Sequence, residues 1–334
     1  MQARICHDVA QMVQKPMLST EDSAVLARRL GAESFVKRLA RENRVWNRKT
    51  LRSKELGRFS FESCLAFLLK ATGLWARARR EFRDVRVVEN HVTLDGLPAP
   101  FEGFCILQIS DLHCDLDPVL MDIVEARITG LSYDASVLTG DYQDCRVMDL
   151  KLSTRLMTRL ILRLSGPKFG ILGNHDFLTS VPVFEETGLQ ILLNENSAIE
   201  RDGQRLWICG IDDPRFFGTH DLTAARRAVP MNEIAILLSH APDIWHEAEM
   251  AGYSLMIAGH THGGQLCLPG GFPLVRNSAA PRALTAGAWR LGKMQGYTSR
   301  GTGACSVPAR LFCPPEVTLH VLHCKAETKE EGHW

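Results

Sequence analysis

The stretch Ile171-Leu172-Gly173-Asn174-His175-Asp176 decides how the rest of this 334-residue chain is interpreted. The apolar run 169–172 is typical of a buried strand, and a glycine, an amide, an imidazole and a carboxylate follow it. Asparagine disfavours strand interiors and favours turns, so the polar group is predicted to lie in the loop after the strand. Ligand-binding groups of an open α/β sheet collect in such loops.

Four other polar stretches repeat this design, each after an apolar run that predicts a strand. They are Asp111 to His113 after 104–110, Gly140-Asp141 after 135–139, His240 after 234–239, and His260 to His262 after 255–258. Residues two apart on an extended chain point the same way, so each Asp-x-His or His-x-His pair is predicted to reach one site. Glycines at 140, 173 and 259 would allow the tight turns that bring these side chains together.

The polar groups form a mixed nitrogen and oxygen donor set. The candidate metal ligands are Asp111, His113, Asp141, Asn174, His240, His260 and His262. Such donors without thiolate suit Mn²⁺, Mg²⁺, Fe or Zn²⁺ rather than a structural zinc site built from cysteines. The set exceeds what one ion needs if positions stay open for water, so we expect two divalent cations that share a bridging carboxylate.

The chain resembles the calcineurin-like metallophosphoesterase superfamily over about residues 103–323, with every motif present and in order. The motifs are Asp111-x-His113, Gly140-Asp141, Gly173-Asn174-His175-Asp176, His240 and Gly259-His260-Thr261-His262. The resemblance implies a four-layer α-β-β-α sandwich and metal-dependent hydrolysis of a phosphodiester or pyrophosphate bond. The alternation of predicted strands with helices at 118–129 and 151–164 independently favours an α/β domain.

The resemblance also implies a role for each site residue. Asp111, His113 and His262 would hold one cation, and Asn174, His240 and His260 the other, with Asp141 bridging the two; Mn²⁺ is the favoured metal. His175 is not needed as a ligand, so it is assigned to the leaving group or the charge of the transition state. Asp176 is expected to support His175 by a hydrogen bond to its ring.

Further motifs resemble one branch of the superfamily, the bacterial membrane-associated phosphodiesterases. They are Leu97-Pro98 before the first motif, Gly263-Gly264-Gln265 after the last, Ser299 to Gly303, and Pro314-Pro315-Glu316. That branch includes enzymes similar to UDP-2,3-diacylglucosamine pyrophosphohydrolases of lipid A synthesis, which implies a lipid-linked nucleotide as substrate. In the stretch 210–215, Asp212, Asp213 and Arg215 either line the substrate pocket or, for the two acids, cap a turn.

The N-terminal part of the chain differs from the rest in charge. Residues 1–86 hold 19 Lys+Arg and 9 Asp+Glu, whereas the remainder holds 20 and 29. We therefore divide the chain into a basic helical extension (1–96), a catalytic domain (97–324) and a disordered tail (325–334). The helical pattern over 20–55 predicts a surface for anionic lipid or nucleic acid, and the one around Phe61 to Trp75 either contacts an anionic membrane surface or packs on the catalytic domain. The first of them is also compatible with a solvated helical face.

The ten cysteines show no CxxC pair, and the first twenty residues lack the apolar segment of a signal peptide. We therefore expect a cytoplasmic protein, peripheral on the inner face of the membrane. A soluble nucleotide or cyclic-nucleotide phosphodiesterase, a nuclease and a non-catalytic scaffold remain as alternatives. Nucleic acid is not the expected partner, and a scaffold would usually have lost metal ligands, whereas every ligand position is filled here.

Overall fold

The computed structural model describes residues 17–52, 61–145 and 147–325. The predicted tail therefore lies outside the described residues, except for Lys325. The helices are α1 Thr20–Leu30, α2 Ala32–Arg52, α3 Phe61–Ala71, α4 Trp75–Phe82, α5 Val119–Ile128, α6 Leu150–Arg163, α7 Val181–Glu186, α8 Leu222–Ala225 and α9 Trp245–Met250.

The strands form two large sheets and one small hairpin. They are β1 Arg86–Leu94, β2 Cys105–Ile109, β3 Ala135–Leu138, β4 Lys168–Gly170, β5 Gln190–Ile191, β6 Glu195–Arg201, β7 Gln204–Gly210, β8 Ala235–Ser239, β9 Leu255–Ala258, β10 Cys267–Leu268, β11 Phe272–Pro273, β12 Gly287–Leu291, β13 Met294–Thr298 and β14 Glu316–Cys324. The first sheet has the order β1-β14-β2-β3-β4-β5, the second the order β12-β13-β9-β8-β7-β6, and β10 pairs with β11.

Parallel pairing places the ends of the motif-bearing strands together. In the first sheet β2, β3, β4 and β5 run parallel, and in the second β7, β8, β9 and β13 do. Each of the five predicted strands appears, with ends that differ by at most two residues. The carboxyl ends of β2, β3, β4, β8 and β9 lead directly into the five polar stretches.

Three apolar clusters define the layers. Side chains from both large sheets, such as Ile106 and Ile257, form a core between them. The outer face of the first sheet packs against helices through residues such as Leu120 and Met157, and the second sheet packs against α8 and α9. Burying such side chains stabilises the fold by about 1.5–3 kcal/mol each. The predicted α-β-β-α sandwich is confirmed.

The helical pattern over 20–55 is interrupted at Gly31, which adopts φ 81° between α1 and α2. Leu26, Leu30 and Phe35 of these helices are buried in the core that covers the first sheet. Arg29 pairs with Glu195 at 2.8 Å. The apolar side chains and Arg29 therefore contact the sandwich, and contact of the exposed basic residues with a membrane stays a prediction.

Among the side chains of α2 that the structure describes, the basic one that is fully inaccessible to solvent is Arg38. Its guanidinium lies 3.1 Å from Glu42 and 3.0 Å from Asp212, and it donates to the carbonyl of Asp176 at 2.9 Å. The same group stacks over the ring of Phe217, 3.4 Å from the centroid. A cluster of buried charges thus joins α2 to the loop that carries the central motif.

Strand β1 lies before residue 97 in the chain and pairs in parallel with β14 along its whole length. The division into an extension and a catalytic domain at that residue stays a proposal, and β1 is hydrogen bonded into the first sheet in either case. Among the described residues, no helix is both long and apolar enough to cross a bilayer.

Candidate metal centre

The five polar stretches meet at one edge of the two sheets, where they bring buried carboxylates and imidazoles into contact. The first group consists of Asp111, His113 and His262. The Nε2 atoms of the two histidines are 3.2 Å apart, and His262 Nε2 lies 3.5 Å from Asp111 Oδ1. Three donor atoms from two sheets therefore face a common point.

The second group consists of Asp141, His240 and His260. His240 Nε2 lies 3.2 Å from His260 Nδ1 and 3.3 Å from Asp141 Oδ2. The amide oxygen of Asn174 is 3.1 Å from the same His240 nitrogen. Two carboxylate or amide oxygens and two ring nitrogens thus converge here.

The carboxylate of Asp141 lies between the two groups. Its Oδ2 atom is 3.3 Å from His240 Nε2 in one group and 3.6 Å from His113 Nε2 in the other. The side chain is almost fully buried. A single oxygen is therefore within reach of both donor sets.

The ring nitrogens that face away from the centre show that the donor set fits metal cations. His113 Nδ1 lies 3.0 Å from the carbonyl of Gln143, and His240 Nδ1 lies 2.8 Å from the carbonyl of Thr139. A carbonyl only accepts, so these nitrogens carry the proton, and in a neutral ring Nε2 then presents a lone pair. Neutral His113 and His240 rings therefore each present an Nε2 lone pair to the centre, as a cation ligand must, whereas the Nδ1 atom of His262 faces the Arg310 guanidinium at 3.2 Å.

Burial sets the charge of the isolated ligands. Burial lowers the pKa of His260 to about 3 and that of His262 well below its usual value, so both rings are neutral and ready to bind a cation. Burial also raises the pKa of Asp111. Although burial alone would lower it, the charge of Asp141 raises the pKa of His240 to about 10, so a cation must compete with a proton for this ring.

The ligands sit on strained backbone. Left-handed φ values occur at Asp111 (53°), His113 (41°), Asp141 (56°), His260 (71°) and His262 (51°). Each costs about 1 kcal/mol or more for a residue other than glycine, and such residues cluster at functional sites. The extended backbone predicted for the Asp-x-His and His-x-His pairs is therefore wrong, whereas His260 and His262 lie in different groups, as in the assignment that the resemblance implied.

Glycines permit the close approach of the loops. A Cβ atom on Gly173 would lie 2.2 Å from Asp141 Oδ1, and one on Gly259 would lie 2.4 Å from Asp111 Oδ2. Both distances are far below van der Waals contact. The glycines of the motifs therefore make room for the carboxylates of the neighbouring loops.

His175 lies beside Asp141, with its Nε2 atom 4.0 Å from Asp141 Oδ2. Its Nδ1 atom accepts a hydrogen bond from the backbone N–H of Cys145 at 3.0 Å. Because Nδ1 accepts, the proton of the neutral ring resides on Nε2, the nitrogen that faces the centre. The ring therefore presents a proton donor next to the metal ligands.

Asp176 has contacts that differ from those expected. Its Oδ2 atom accepts from the N–H groups of Asp141 (2.7 Å) and Gly173 (2.8 Å), and its Oδ1 atom accepts from Tyr142 (2.9 Å). Asp176 was expected to support the His175 ring by a hydrogen bond. This expectation is wrong, because both carboxylate oxygens of Asp176 accept from backbone N–H groups. This side chain positions the loop that carries Asp141.

A cavity of about 470 Å³ opens beside the second group and is lined by Asn174, Arg215, Phe216, His260 and Asn277. Arg215 is held by Asp243 at 2.5 Å. A guanidinium beside a metal centre suits a phosphate oxygen. The predicted pocket position of Arg215 agrees with this geometry.

The two acids before Arg215 have structural contacts. Asp213 Oδ2 accepts from the N–H groups of Phe216 and Phe217, both at 2.6 Å, and Asp212 pairs with Arg38. Of the two alternatives for Asp213, pocket lining and turn capping, these contacts therefore support turn capping. Helix α2 also contacts this turn, because Arg41 donates to the carbonyl of Phe216 at 2.8 Å.

The sequence did not reveal two residues that contribute to the site. Asn277 lines the cavity from a segment without recognisable pattern. Arg310 is fully buried and donates to the carbonyls of His262 and Gly303, each at 2.9 Å, so it holds the loop of one ligand. A buried arginine without a nearby acid in sequence offers no signal of this role.

The chain is similar to a known family model and to several bacterial proteins. The family model described as calcineurin-like phosphoesterase matches residues 104–264. An uncharacterized metallophosphoesterase of Bacillus subtilis, YkoQ, is 30% identical over 275 residues, which cover 78% of this chain and 99% of YkoQ. A second one from this organism, YkuE, is 29% identical over 278 residues, 78% of this chain and 94% of YkuE. The phosphodiesterase YaeI of Escherichia coli is 30% identical over 239 residues, 66% of this chain and 82% of YaeI.

Proposed function

The chain belongs to the calcineurin-like phosphoesterase family, and we propose that it uses two divalent cations to hydrolyse a phosphodiester or pyrophosphate bond. The observation that carries this proposal is the position of Asp141 Oδ2, within 3.6 Å of ring nitrogens from both donor groups. One carboxylate oxygen shared by two sets of nitrogen and oxygen donors suits a pair of cations.

In the proposed site Asp111, His113 and His262 hold one cation, Asn174, His240 and His260 the other, and Asp141 both. We favour Mn²⁺, with Mg²⁺, Fe and Zn²⁺ as alternatives, since oxygen and imidazole donors suit each of them. Two such cations supply positive charge that stabilises the phosphoryl oxygens and lowers the pKa of the attacking water.

The protein's own residues do the remaining work in this proposal. The Nε2–H of His175, held by the Cys145 N–H on the far side of the ring, donates to the leaving oxygen or to the developing charge. Asp176 fixes the backbone around Asp141 and so keeps the bridging carboxylate in place. Arg215 binds a further phosphate oxygen of the substrate.

For the substrate we propose a lipid-linked nucleotide such as UDP-2,3-diacylglucosamine, and a cytoplasmic enzyme peripheral on the inner face of the membrane. Arg215 beside the metal ligands suits a second phosphate, and the half-exposed ring of Phe216 offers an apolar wall next to it. The similar protein YaeI is described as a phosphodiesterase, which agrees with the proposed bond type. A soluble nucleotide or cyclic-nucleotide phosphodiesterase remains the main rival, followed by a nuclease.

Hydrolysis assays separate these possibilities. We expect the purified chain with Mn²⁺ in detergent to split the pyrophosphate of UDP-2,3-diacylglucosamine and release UMP. Cleavage of bis(p-nitrophenyl) phosphate without cleavage of the lipid nucleotide would retain the reaction class and reject the lipid substrate. Binding of DNA that weakens steeply with salt would support the nuclease instead.

Substituting His175→Ala tests the division of labour within the central motif. We expect turnover to fall by about 10²–10⁴-fold, the usual contribution of a positioned proton donor, while both cations stay bound. His246→Ala, an exposed histidine of α9, is the control and should leave turnover unchanged. Metal analysis of the His175 variant decides the matter, since loss of a cation would make His175 a ligand.

A further inference from the structure

The β10–β11 hairpin presents large apolar side chains to solvent. Leu268 and Phe272 face each other across its two-residue strands, and Leu274 and Val275 follow directly, 62% and 67% exposed. Apolar side chains that are exposed together in this way typically mark an interaction site. Neither the metal ligands nor the cavity beside them explains these side chains.

Helix α3 presents a second exposed apolar surface close to the hairpin. Phe67 is 67% exposed, and Leu68 lies beside it. The opposite face of the helix buries Leu69 against a cluster that includes Leu266, the residue directly before β10. Helix and hairpin therefore rest on the same packed base and belong to one part of the surface.

A basic cavity of about 690 Å³ adjoins the hairpin and helix α4, the helix that follows α3. Four guanidinium groups, from Arg77, Arg86, Arg282 and Arg300, contribute to its walls, against the two carboxylates of Glu81 and Glu316. The walls therefore carry an excess of positive charge.

The contacts of the arginines divide them into two classes. Arg300 pairs with Glu316 at 2.6 Å, Arg77 with Glu81 at 2.7 Å and Arg86 with Asp84 at 3.1 Å, so each has a carboxylate partner. Arg282 instead stacks over the ring of Phe272, 3.9 Å from its centroid. A guanidinium held over the exposed aromatic ring of the hairpin couples the basic cavity to the apolar surface.

The segment between the two cavities links this surface to the metal centre. Pro273 lines the basic cavity, and Asn277, four residues later, lines the cavity beside His260. Gly263, next to the ligand His262, also lines the basic cavity. A partner that binds to the hairpin would therefore lie close to the opening of the candidate metal site.

We propose that the hairpin, the exposed face of α3 and the basic cavity together form a docking surface for a membrane that contains anionic phospholipids. Phe67, Leu68, Leu274 and Val275 enter the interfacial region, and the arginines bind lipid phosphate groups. The positive charge of the arginines complements the negative charge of the lipid phosphate groups, which favours a membrane as the partner. The proposal deepens the proposed function, on which it rests for the link to a lipid-linked substrate, whereas the binding itself needs no catalysis.

Vesicle co-sedimentation of the full chain tests the surface. The wild-type chain should bind phosphatidylcholine vesicles that contain phosphatidylglycerol, and binding to phosphatidylcholine alone should be at least about 10-fold weaker because each basic residue near an anionic surface contributes. Added salt should weaken the binding. Equal binding to both kinds of vesicle, or to neither, would overturn the proposal.

Paired variants test whether these side chains carry the vesicle binding. Leu274→Ser with Val275→Ser, and separately Arg77→Gln with Arg282→Gln, should each weaken binding by about 10-fold or more. The matched controls are Met231→Ser and Arg227→Gln, both exposed elsewhere, and they should bind as the wild type does. Wild-type affinity in both paired variants, with unchanged circular dichroism, would contradict the assignment.

The two proposals fail in distinguishable ways. Hydrolysis of the soluble bis(p-nitrophenyl) phosphate by the same wild-type preparation reports on the metal centre without any membrane. Hydrolysis without vesicle binding therefore rejects the docking surface alone, and vesicle binding without hydrolysis rejects the proposed function alone.

Discussion

Replacing Asp141 with asparagine should lower phosphodiester turnover by at least about 10⁴-fold, because loss of the cations forfeits the large decrease in the pKa of the attacking water. The substitution preserves the size of the side chain and removes only its charge. Asp141 Oδ2 is the oxygen that lies 3.3 Å from His240 Nε2 and 3.6 Å from His113 Nε2. Its neutralisation therefore weakens both proposed cation positions at once.

The matched control for this variant is Asp202→Asn. Asp202 lies in the exposed turn between β6 and β7 and has a left-handed φ of 49°, close to the 56° of Asp141. Asparagine tolerates that conformation, so backbone strain changes little in either variant. Turnover should be unchanged in the control, and wild-type turnover in the Asp141 variant would reject a shared carboxylate.

Replacing Arg38 with methionine should lower the free energy of unfolding by about 3–5 kcal/mol, the usual cost of removing one partner of a buried ion pair. The guanidinium is fully buried and lies about 3 Å from carboxylates of Glu42 and Asp212. Methionine would leave these carboxylates without their buried positive charge. It would also remove the hydrogen bond to the Asp176 carbonyl and the stacking on Phe217.

Urea unfolding followed by circular dichroism measures this effect. Arg44→Met is the control, because Arg44 is an exposed residue of the same helix and its replacement should change stability by less than about 0.5 kcal/mol. Equal unfolding midpoints for the two variants would show that the buried charges do not hold α2 on the sandwich. The result also bears on truncation: removal of residues 1–86 would delete buried core residues such as Phe35 and Phe82.

That the five polar stretches meet at one edge could be predicted from the sequence, for a physical reason. Each polar stretch follows a short apolar run, and runs such as 255–258 are strands that are buried on both faces. Parallel strands then bring their carboxyl ends to one edge without any further information. The backbone conformation at His260 and His262 was harder to predict, because the motif indicates an extended chain whereas both residues have a left-handed φ.

Other features depend on contacts that no local pattern contains. Strand β1 pairs with β14, at the far end of the chain, and only its second half alternates between exposed and buried residues. The role of Arg38 likewise depends on Asp212, whereas the helical pattern around it shows only a basic surface. The carboxylate of Asp176 binds backbone groups, and backbone hydrogen bonds leave no trace in residue identity.

The most direct test of the account is the metal content of the wild-type chain and the His175→Ala variant, measured by mass spectrometry after purification with Mn²⁺. The account predicts two cations per chain in both proteins. The wild type should hydrolyse bis(p-nitrophenyl) phosphate at its full rate, whereas the variant should hydrolyse it much more slowly. One cation or none in a folded wild-type chain that still hydrolyses the diester would contradict the proposed two-cation centre.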